Sequence, residues 1–318
     1  KNKMATIDMN ISELRKGLNK DYSIEELEAI LFDFGLEIDS YDKDTGDLKI
    51  EVTAERVDLL SPAGLLRALK AYLGISKPSS YSVKKGNYTL NIDDSVRPYR
   101  PHSVCAVVKN LSLTTNDLKQ VINAQEKLHQ TIGRKRGVVA IGVYPLDKIC
   151  FPITLLSKRP EDIKFVPLGE DRELNGREIL EQTAVGREYS CLLEGKDKYP
   201  IFIDSNNQIL SMPPIINSEA VGKLTEDTKD IFIECSGFNT IRLEQTLNLL
   251  CTMFADMGGE LYSVDVTYGK SYNLKPKPTP NLSEETRLVS HSHINTLIGT
   301  AIDIDTACLL LGRMCYRS

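Results

Sequence analysis

What most restricts the fold of this chain is the order of its strand-like apolar runs around two long amphipathic helices. Val104–Val108, Val138–Val143, Ile201–Ile203, Ile231–Cys235 and Tyr262–Tyr268 read as strands. In the last of these, Tyr262, Val264, Val266 and Tyr268 alternate with polar residues, the period of a half-buried strand. The helices span roughly 116–132 and 242–257. The second sets Leu243, Leu247, Leu250, Phe254 and Met257 on one face before Gly258-Gly259 stops it. A regular strand–helix alternation would build a doubly wound parallel sheet. The order here is strand, helix, strand, a run of strands, helix, strand, which predicts an α+β domain on a mixed sheet. No GxxxxGK[ST] occurs and no GxGxxG follows a strand, so a nucleotide-binding loop is excluded.

Elements on either side of this region predict a multi-domain chain. Upstream, Ser23 and Glu26 form a capping box, Ile24, Leu27, Ile30, Leu31 and Phe34 share a face, and Gly35 closes the helix. Ser61 caps a second helix with Pro62 at its first position, Leu65, Leu66, Leu69, Tyr72 and Leu73 as its stripe, and Gly74 at its end. A strand-like stretch, Leu48 to Thr53, lies between them, and a polar connector follows around Lys84–Asn87. The expected division is a small α+β module over 1–90, a larger mixed-sheet domain over 91–274, and a linker with the start of a third, helical module over 275–318. Pro276, Pro278 and Pro280 alternate, as in an extended linker. The segment after them reads as two short helices, too few residues to hold a core. The sequence is therefore expected to be a piece of a longer polypeptide.

Composition sets outer limits. With 318 residues, 41% hydrophobic and 26% charged, the chain can bury a large core. A formal net charge of −5 argues against non-specific coating of nucleic acid, which draws on phosphate neutralisation; a shaped RNA partner stays open. No apolar run is long enough for a membrane helix, and the opening KNKMATIDMN has no signal core, so a cytoplasmic protein without membrane contact is expected. The seven cysteines show no CxxC spacing and read as small buried hydrophobes. His291 and His293 read as polar residues at a helix start, so no metal site is expected.

Three places could carry chemistry. On the helix over 116–132, Gln125 falls on the stripe of Leu118, Val121, Ile122, Leu128 and Ile132, with Glu126 at its border. A buried amide needs partners; these are either a loop backbone or a ligand in a polar pocket. Next, GRKRG at 133–137 puts three cations at the helix end, either solvated there or in contact with phosphate. Lastly, Met212–Gly237 carries a Pro-Pro step, then Asn217, Ser218 and Glu219, then a strand on which Glu234 and Ser236 share a face. That face is either wet or the wall of a pocket. No Ser–His–Asp set is present, so any hydrolysis here needs a positioned water.

These stretches carry a resemblance. AERVDLLSPAGLLRALKAYLG (54–74), QEKLHQTIGRKRGVVAIGVYPLD (125–147), FVPLG (165–169), LSMPPIIN (210–217) and TEDTKDIFIECSG (225–237) closely resemble the β subunit of phenylalanyl-tRNA synthetase, in its archaeal and eukaryotic-cytosolic branch. The likeness covers essentially the whole chain, with the motifs in the family's order.

The resemblance implies one subunit of an α₂β₂ ligase that charges tRNA(Phe) with phenylalanine, and a fragment that ends before the family's α-pairing region and is monomeric by itself. ATP and Mg2+ would be used in the α subunit, and no cofactor in this segment. It further implies an editing domain that hydrolyses tyrosine wrongly esterified to tRNA(Phe), since a pocket shaped for phenylalanine cannot strongly reject an added hydroxyl. Family positions that contact the tyrosine side chain match Phe202, Ser211, Glu234 and Ser236; archaeal members carry Leu, Asp and Thr at the first, third and fourth of these. Catalytic positions match Gln125, Glu126 and Asn217, and a tRNA-holding position matches Arg136. On this reading Glu234 accepts the phenol hydrogen bond as a carboxylate. The alternative is a scaffold and tRNA-docking subunit whose editing has been lost.

Overall fold

The computed structural model describes residues 5–317; residues 1–4, part of the KNKMATIDMN stretch, and Ser318 lie outside the described residues. The chain divides into two compact units, Lys1–Tyr81 with Ser283–Ser318, and Ser82–Leu282.

In the first unit, strands β1 (Ala5–Asn10) and β2 (Glu37–Tyr41) flank β3 (Asp47–Val52), all antiparallel. Helices α1 (Ile11–Leu18), α2 (Ile24–Phe34) and α3 (Pro62–Tyr72) accompany them. The α2 capping box forms as the sequence predicts, and Gly35 closes the helix at φ 93°, a left-handed angle that a residue with a Cβ adopts at a cost. Ser61 caps α3 through Gly64 N, and the helix ends at Tyr72, short of Gly74. Leu27, Leu31 and Phe34 of α2 and Leu65, Ala68 and Leu69 of α3 are buried.

The second unit is built on β4 (Val83–Lys84), β5 (Thr89–Ile92), β6 (His102–Lys109), helix α4 (Thr115–Gln130), β7 (Val139–Pro145) and β8 (Ile153–Lys158). A two-stranded hairpin, β9 (Lys164–Phe165) and β10 (Leu174–Asn175), and two short helices, α5 (Gly176–Gln182) and α6 (Ala184–Tyr189), follow. Then come β11 (Tyr199–Ile203), β12 (Ile209–Met212), β13 (Ile216–Asn217), β14 (Ile231–Gly237), α7 (Thr240–Asp256), β15 (Glu260–Tyr268) and β16 (Lys277–Thr279). One sheet runs β13-β12-β11-β8-β5-β15-β6-β14-β7, with β4 and β16 also pairing β15. β15 pairs β5 and β4 in parallel and β6 and β16 antiparallel, which makes the sheet mixed, as the order of elements requires. Although β12 and β7 lie near opposite ends of this order, the Tyr144 hydroxyl on β7 lies within hydrogen-bond distance of Ser211 Oγ on β12, at 2.9 Å. The sheet therefore curls until its two ends meet through side chains.

Three expectations about boundaries differ from the structure. The proline-alternating stretch is not a free linker: Thr279 of β16 is buried, accepts from Cys105 N at 3.0 Å and donates to Cys105 O at 2.7 Å. Proline fits there because a strand at an edge can leave its N–H side unpaired. Nor do residues 283–317 form a third module. Helices α8 (His291–Ile298) and α9 (Ile304–Arg313) belong to the first unit, where α9 packs against α3, buries Ala307, and Arg317 reaches Glu284 and the Ser79 carbonyl. A segment that short needs a neighbour's apolar face. The larger unit likewise begins at residue 82, not 91, since β4 and β5 are held by β15.

Candidate functional site

A cavity of about 400 Å³ lies in the second unit between α4, β7, β14, the β12–β13 hairpin and the loop after it. From α4 it takes Leu118, Ile122, Gln125, Glu126 and His129, residues three and four apart that form one helix face. This corrects the sequence stripe. The buried face of α4 is Val121, Ala124, Leu128 and His129, whereas Ile122 is 59% exposed and looks onto the cavity with Gln125. Gln125 is half-buried and makes no hydrogen bond among the described residues, so its amide is available to a ligand. Pro213, Pro214, Ile215 and Ile216 supply an apolar wall from the hairpin, with Asn217 and Ser211 beside it.

Glu234 decides the character of this site. It stands on β14 between Cys105 of β6 and Gly142 of β7 and is 2% exposed, so the face it shares with Ser236 is not wet. The Tyr144 hydroxyl approaches its Oε1 at 3.3 Å, Ser211 Oγ at 2.9 Å and Asn217 Oδ1 at 3.4 Å. Oε2 has no hydrogen-bond partner among the described residues. Burial pushes the carboxyl up to about 8, against the opposing pull of the Arg100 cation and smaller ones from Tyr144 and Ser236. The group is therefore mostly protonated at neutral pH and can offer a donor as well as an acceptor, which changes the species that the sequence reading assigned to it.

Room for this arrangement comes from Gly142. A Cβ there would stand 2.2 Å from Tyr144 Oη and 2.6 Å from Glu234 Oε1, so only glycine lets the two side chains meet over the strand. Behind Glu234 the fully buried Arg100 donates Nε to Ser236 Oγ at 2.9 Å and Nη2 to the Ser236 carbonyl. Ser236 is thus committed to Arg100 and does not line the cavity. Phe202 does not line it either: it packs in the core with Phe232 and Leu155 and pairs across the ladder with Ser211.

A second group of charges borders the cavity. Arg134, Lys135 and Arg136 all have positive φ (45°, 53° and 65°), a run that L-residues adopt only at a cost. This turn carries Arg136 inward, not into solvent as a helix-end cation. Its Nη1 donates to Ile215 O at 2.7 Å, Nη2 to Glu126 Oε1 at 3.1 Å, and its guanidinium stacks 4.4 Å from the Tyr189 ring centroid. The backbone N–H of Ile141 donates to His129 Nε2 at 2.9 Å, so neutral His129 carries its proton on Nδ1, which faces Glu126 Oε1 at 3.6 Å. Burial keeps His129 below its ordinary pKa, and His129 and Arg136 together hold the half-exposed Glu126 carboxylate below its own. Among the described residues no group of three or more His, Cys, Asp or Glu could hold a metal ion.

Gln125, Glu126, Arg136, Ser211, Asn217 and Glu234, residues from four separate stretches, therefore meet at one cavity, whereas Phe202 and Ser236 adjoin Ser211 and Glu234 outside its lining. Sequence reasoning missed Tyr144, Gly142, Arg100 and His129. Only Gly142, a glycine inside a strand pattern, carried a local signal, that of close approach.

A crystal structure of an N-terminal fragment of the phenylalanyl-tRNA synthetase β subunit from Pyrococcus horikoshii superposes with a TM-score of 0.92 at 37% sequence identity, covering 98% of this chain and 90% of that one. The chain belongs to the phenylalanyl-tRNA synthetase β-subunit family. The family models described as "Phe-tRNA synthetase beta subunit B1 domain" and "B3/4 domain" match residues 4–75 and 108–252. The phenylalanine–tRNA ligase β subunits of Thermococcus sibiricus and Pyrococcus horikoshii are 36% and 37% identical over 99% of this chain. The chain spans about half the length of these relatives, 56% in each case. All eight candidate residues of this β-subunit chain fall within the B3/4 match.

Proposed function

We propose that the cavity is an editing site, which admits the tyrosyl group of mischarged tRNA(Phe) and hydrolyses its ester to the 3′-terminal ribose. The observation that carries this reading is Glu234: a carboxyl buried among apolar walls with one oxygen unpartnered. A phenylalanyl ring would leave that oxygen unsatisfied, at a cost of about 1–3 kcal/mol, whereas a tyrosyl phenol would satisfy it. The site would then discriminate in the opposite sense to a pocket built for phenylalanine.

At the other end of the cavity, Glu126 stays ionised beside Arg136, and Gln125 and Asn217 present amides. These groups suit the placement of a water and of the ester carbonyl. Water adds at the carbonyl carbon, the ester C–O bond breaks, and the ribose oxygen leaves with a proton, releasing tyrosine and tRNA. Since Arg136 is tied to Ile215 and Glu126, it frames the site and holds a terminal ribose or phosphate only through what remains of its fork. On this reading the ATP- and Mg2+-dependent ligation belongs to an α subunit in an α₂β₂ assembly in the cytoplasm. Among the described residues no helix is long and apolar enough to cross a membrane.

Deacylation of Tyr-tRNA(Phe) and Phe-tRNA(Phe) by the purified chain tests the proposal. It is expected to be faster for the tyrosyl ester. Equal rates at background would overturn it and leave the scaffold and tRNA-docking reading.

A further inference from the structure

The Tyr144 phenol is the same chemical group that the editing reading would have the cavity inspect, and it already stands among the cavity's oxygens. It has one proton and three acceptors in reach: Ser211 Oγ at 2.9 Å, Glu234 Oε1 at 3.3 Å and Asn217 Oδ1 at 3.4 Å. One O–H cannot satisfy all three, so the direction of each bond depends on what its neighbours donate. Tyr144 is fully buried and stacks on Phe232 with ring centroids 6.0 Å apart, so the phenol cannot swing away. Gly142 leaves no Cβ between it and Glu234.

We infer that Tyr144 is the specificity-positioning residue of this site: by engaging Glu234 Oε1, it leaves Oε2 as the one carboxyl oxygen without a partner among the described residues and so limits recognition to one hydroxyl at one place. This rests on the editing reading. With Tyr144 donating to Oε1, the proton of a neutral carboxyl resides on Oε2 and is directed at the incoming phenol oxygen. Without it, Oε1 is equally free, the carboxyl can turn, and an apolar ring is opposed less consistently. The other titratable groups facing Glu234 are Arg100, fully buried behind it, Cys105 opposite it on β6, and Cys235 beside it. Among the titratable groups around Glu234, only Tyr144 hydrogen-bonds it.

The test is the titration of the Glu234 carboxyl, followed by carbon-detected NMR in the ligand-free chain, together with the ratio of tyrosyl to phenylalanyl ester hydrolysis. Tyr144→Phe removes a donor that favours the anion, so the Glu234 midpoint should rise. Ser211→Ala removes the acceptor that competes for the Tyr144 proton, so the midpoint should fall. Loosened packing would not move two variants in opposite directions. The hydrolysis ratio should drop about five- to ten-fold in Tyr144→Phe, the worth of one hydrogen bond. A Glu234 titration unchanged in both variants, or shifted the same way in both, would overturn the inference. Should the wild-type chain hydrolyse neither ester, the editing reading fails on that result, and the titrations still decide the Tyr144–Glu234 link.

Discussion

The backbone N–H of Ile141 donates to Nε2 of His129 across 2.9 Å, tying the first residues of the cavity's strand to the last turn of its helix. A protonated imidazole cannot accept that bond, so folding opposes protonation of His129, in agreement with its lowered pKa.

His129→Leu strands the Ile141 N–H and should lower stability by about 1–3 kcal/mol. His129→Gln, whose amide oxygen can reach the place of Nε2, should lose much less. In the wild type the unfolded chain binds the His129 proton more readily than the folded one, so stability should fall as pH drops below about 6.5. Urea denaturation of the three proteins at pH 5.5 and 7 checks this. The pH effect should shrink in both variants.

Glu234 has the opposite sign. Its folded pKa, near 8, lies above the ordinary 4.5, so folding holds a proton that the unfolded chain has lost. Stability should therefore decline as pH rises between these values, by about 1.4 kcal/mol per pH unit from this group alone. Between pH 6.5 and 8 the unfolded chain still loses the His129 proton, an effect of opposite sign that Glu234→Gln shares and that comparison of the two proteins cancels. Glu234→Gln is neutral at every pH and should abolish the decline. A wild type and a Glu234→Gln variant with parallel stability curves over that range would mean that Glu234 is ionised in the folded protein.

Gly142→Ala places a Cβ within 2.6 Å of both Tyr144 and Glu234. Neither side chain has space to retreat, and the overpacking should cost about 1–3 kcal/mol. Combined with Tyr144→Leu, which removes the ring being struck, the loss should be clearly less than the sum of the two single losses. Additive losses would place the strain elsewhere.

In the Arg134–Lys135–Arg136 turn, the conformation is needed for Arg136 and merely tolerated by the exposed Lys135. Lys135→Gly should be neutral or raise stability by up to about 1 kcal/mol, because glycine adopts this φ without a Cβ penalty. Arg136→Lys keeps the charge and loses the fork that spans Ile215 O and Glu126, and it should lower the deacylation rate. The reverse pattern, Lys135→Gly damaging and Arg136→Lys silent, would show that the turn itself is the functional element.

Much of this was legible before the structure. Capping residues and periodicity located α2, α3, α4 and α7, because those signals are local. Glu234 and Gln125 stood out as polar residues in apolar patterns, and the cavity lies where they meet. Tyr144 was invisible because Val139–Pro145 reads as one apolar strand, and the partners of its hydroxyl are 67, 73 and 90 residues away. Arg136 looked like a solvated cation, since three left-handed residues in succession have no sequence signature outside glycine and asparagine. The alternating prolines looked like a linker because composition does not reveal that β15 has a free edge for Lys277–Thr279 to join.

Hydrolysis of Tyr-tRNA(Phe) and Phe-tRNA(Phe) by the wild type and by Glu234→Ala, measured side by side as single-turnover rates, tests the central claim most directly. The wild type should prefer the tyrosyl ester. Glu234→Ala should slow hydrolysis of that ester by about 10- to 100-fold, bringing the ratio of the two rates toward one, as removal of the group that meets the phenol requires. Equal slowing of both esters, with their ratio preserved, would show that Glu234 positions the water or the ester and does not read the hydroxyl, and would contradict the account.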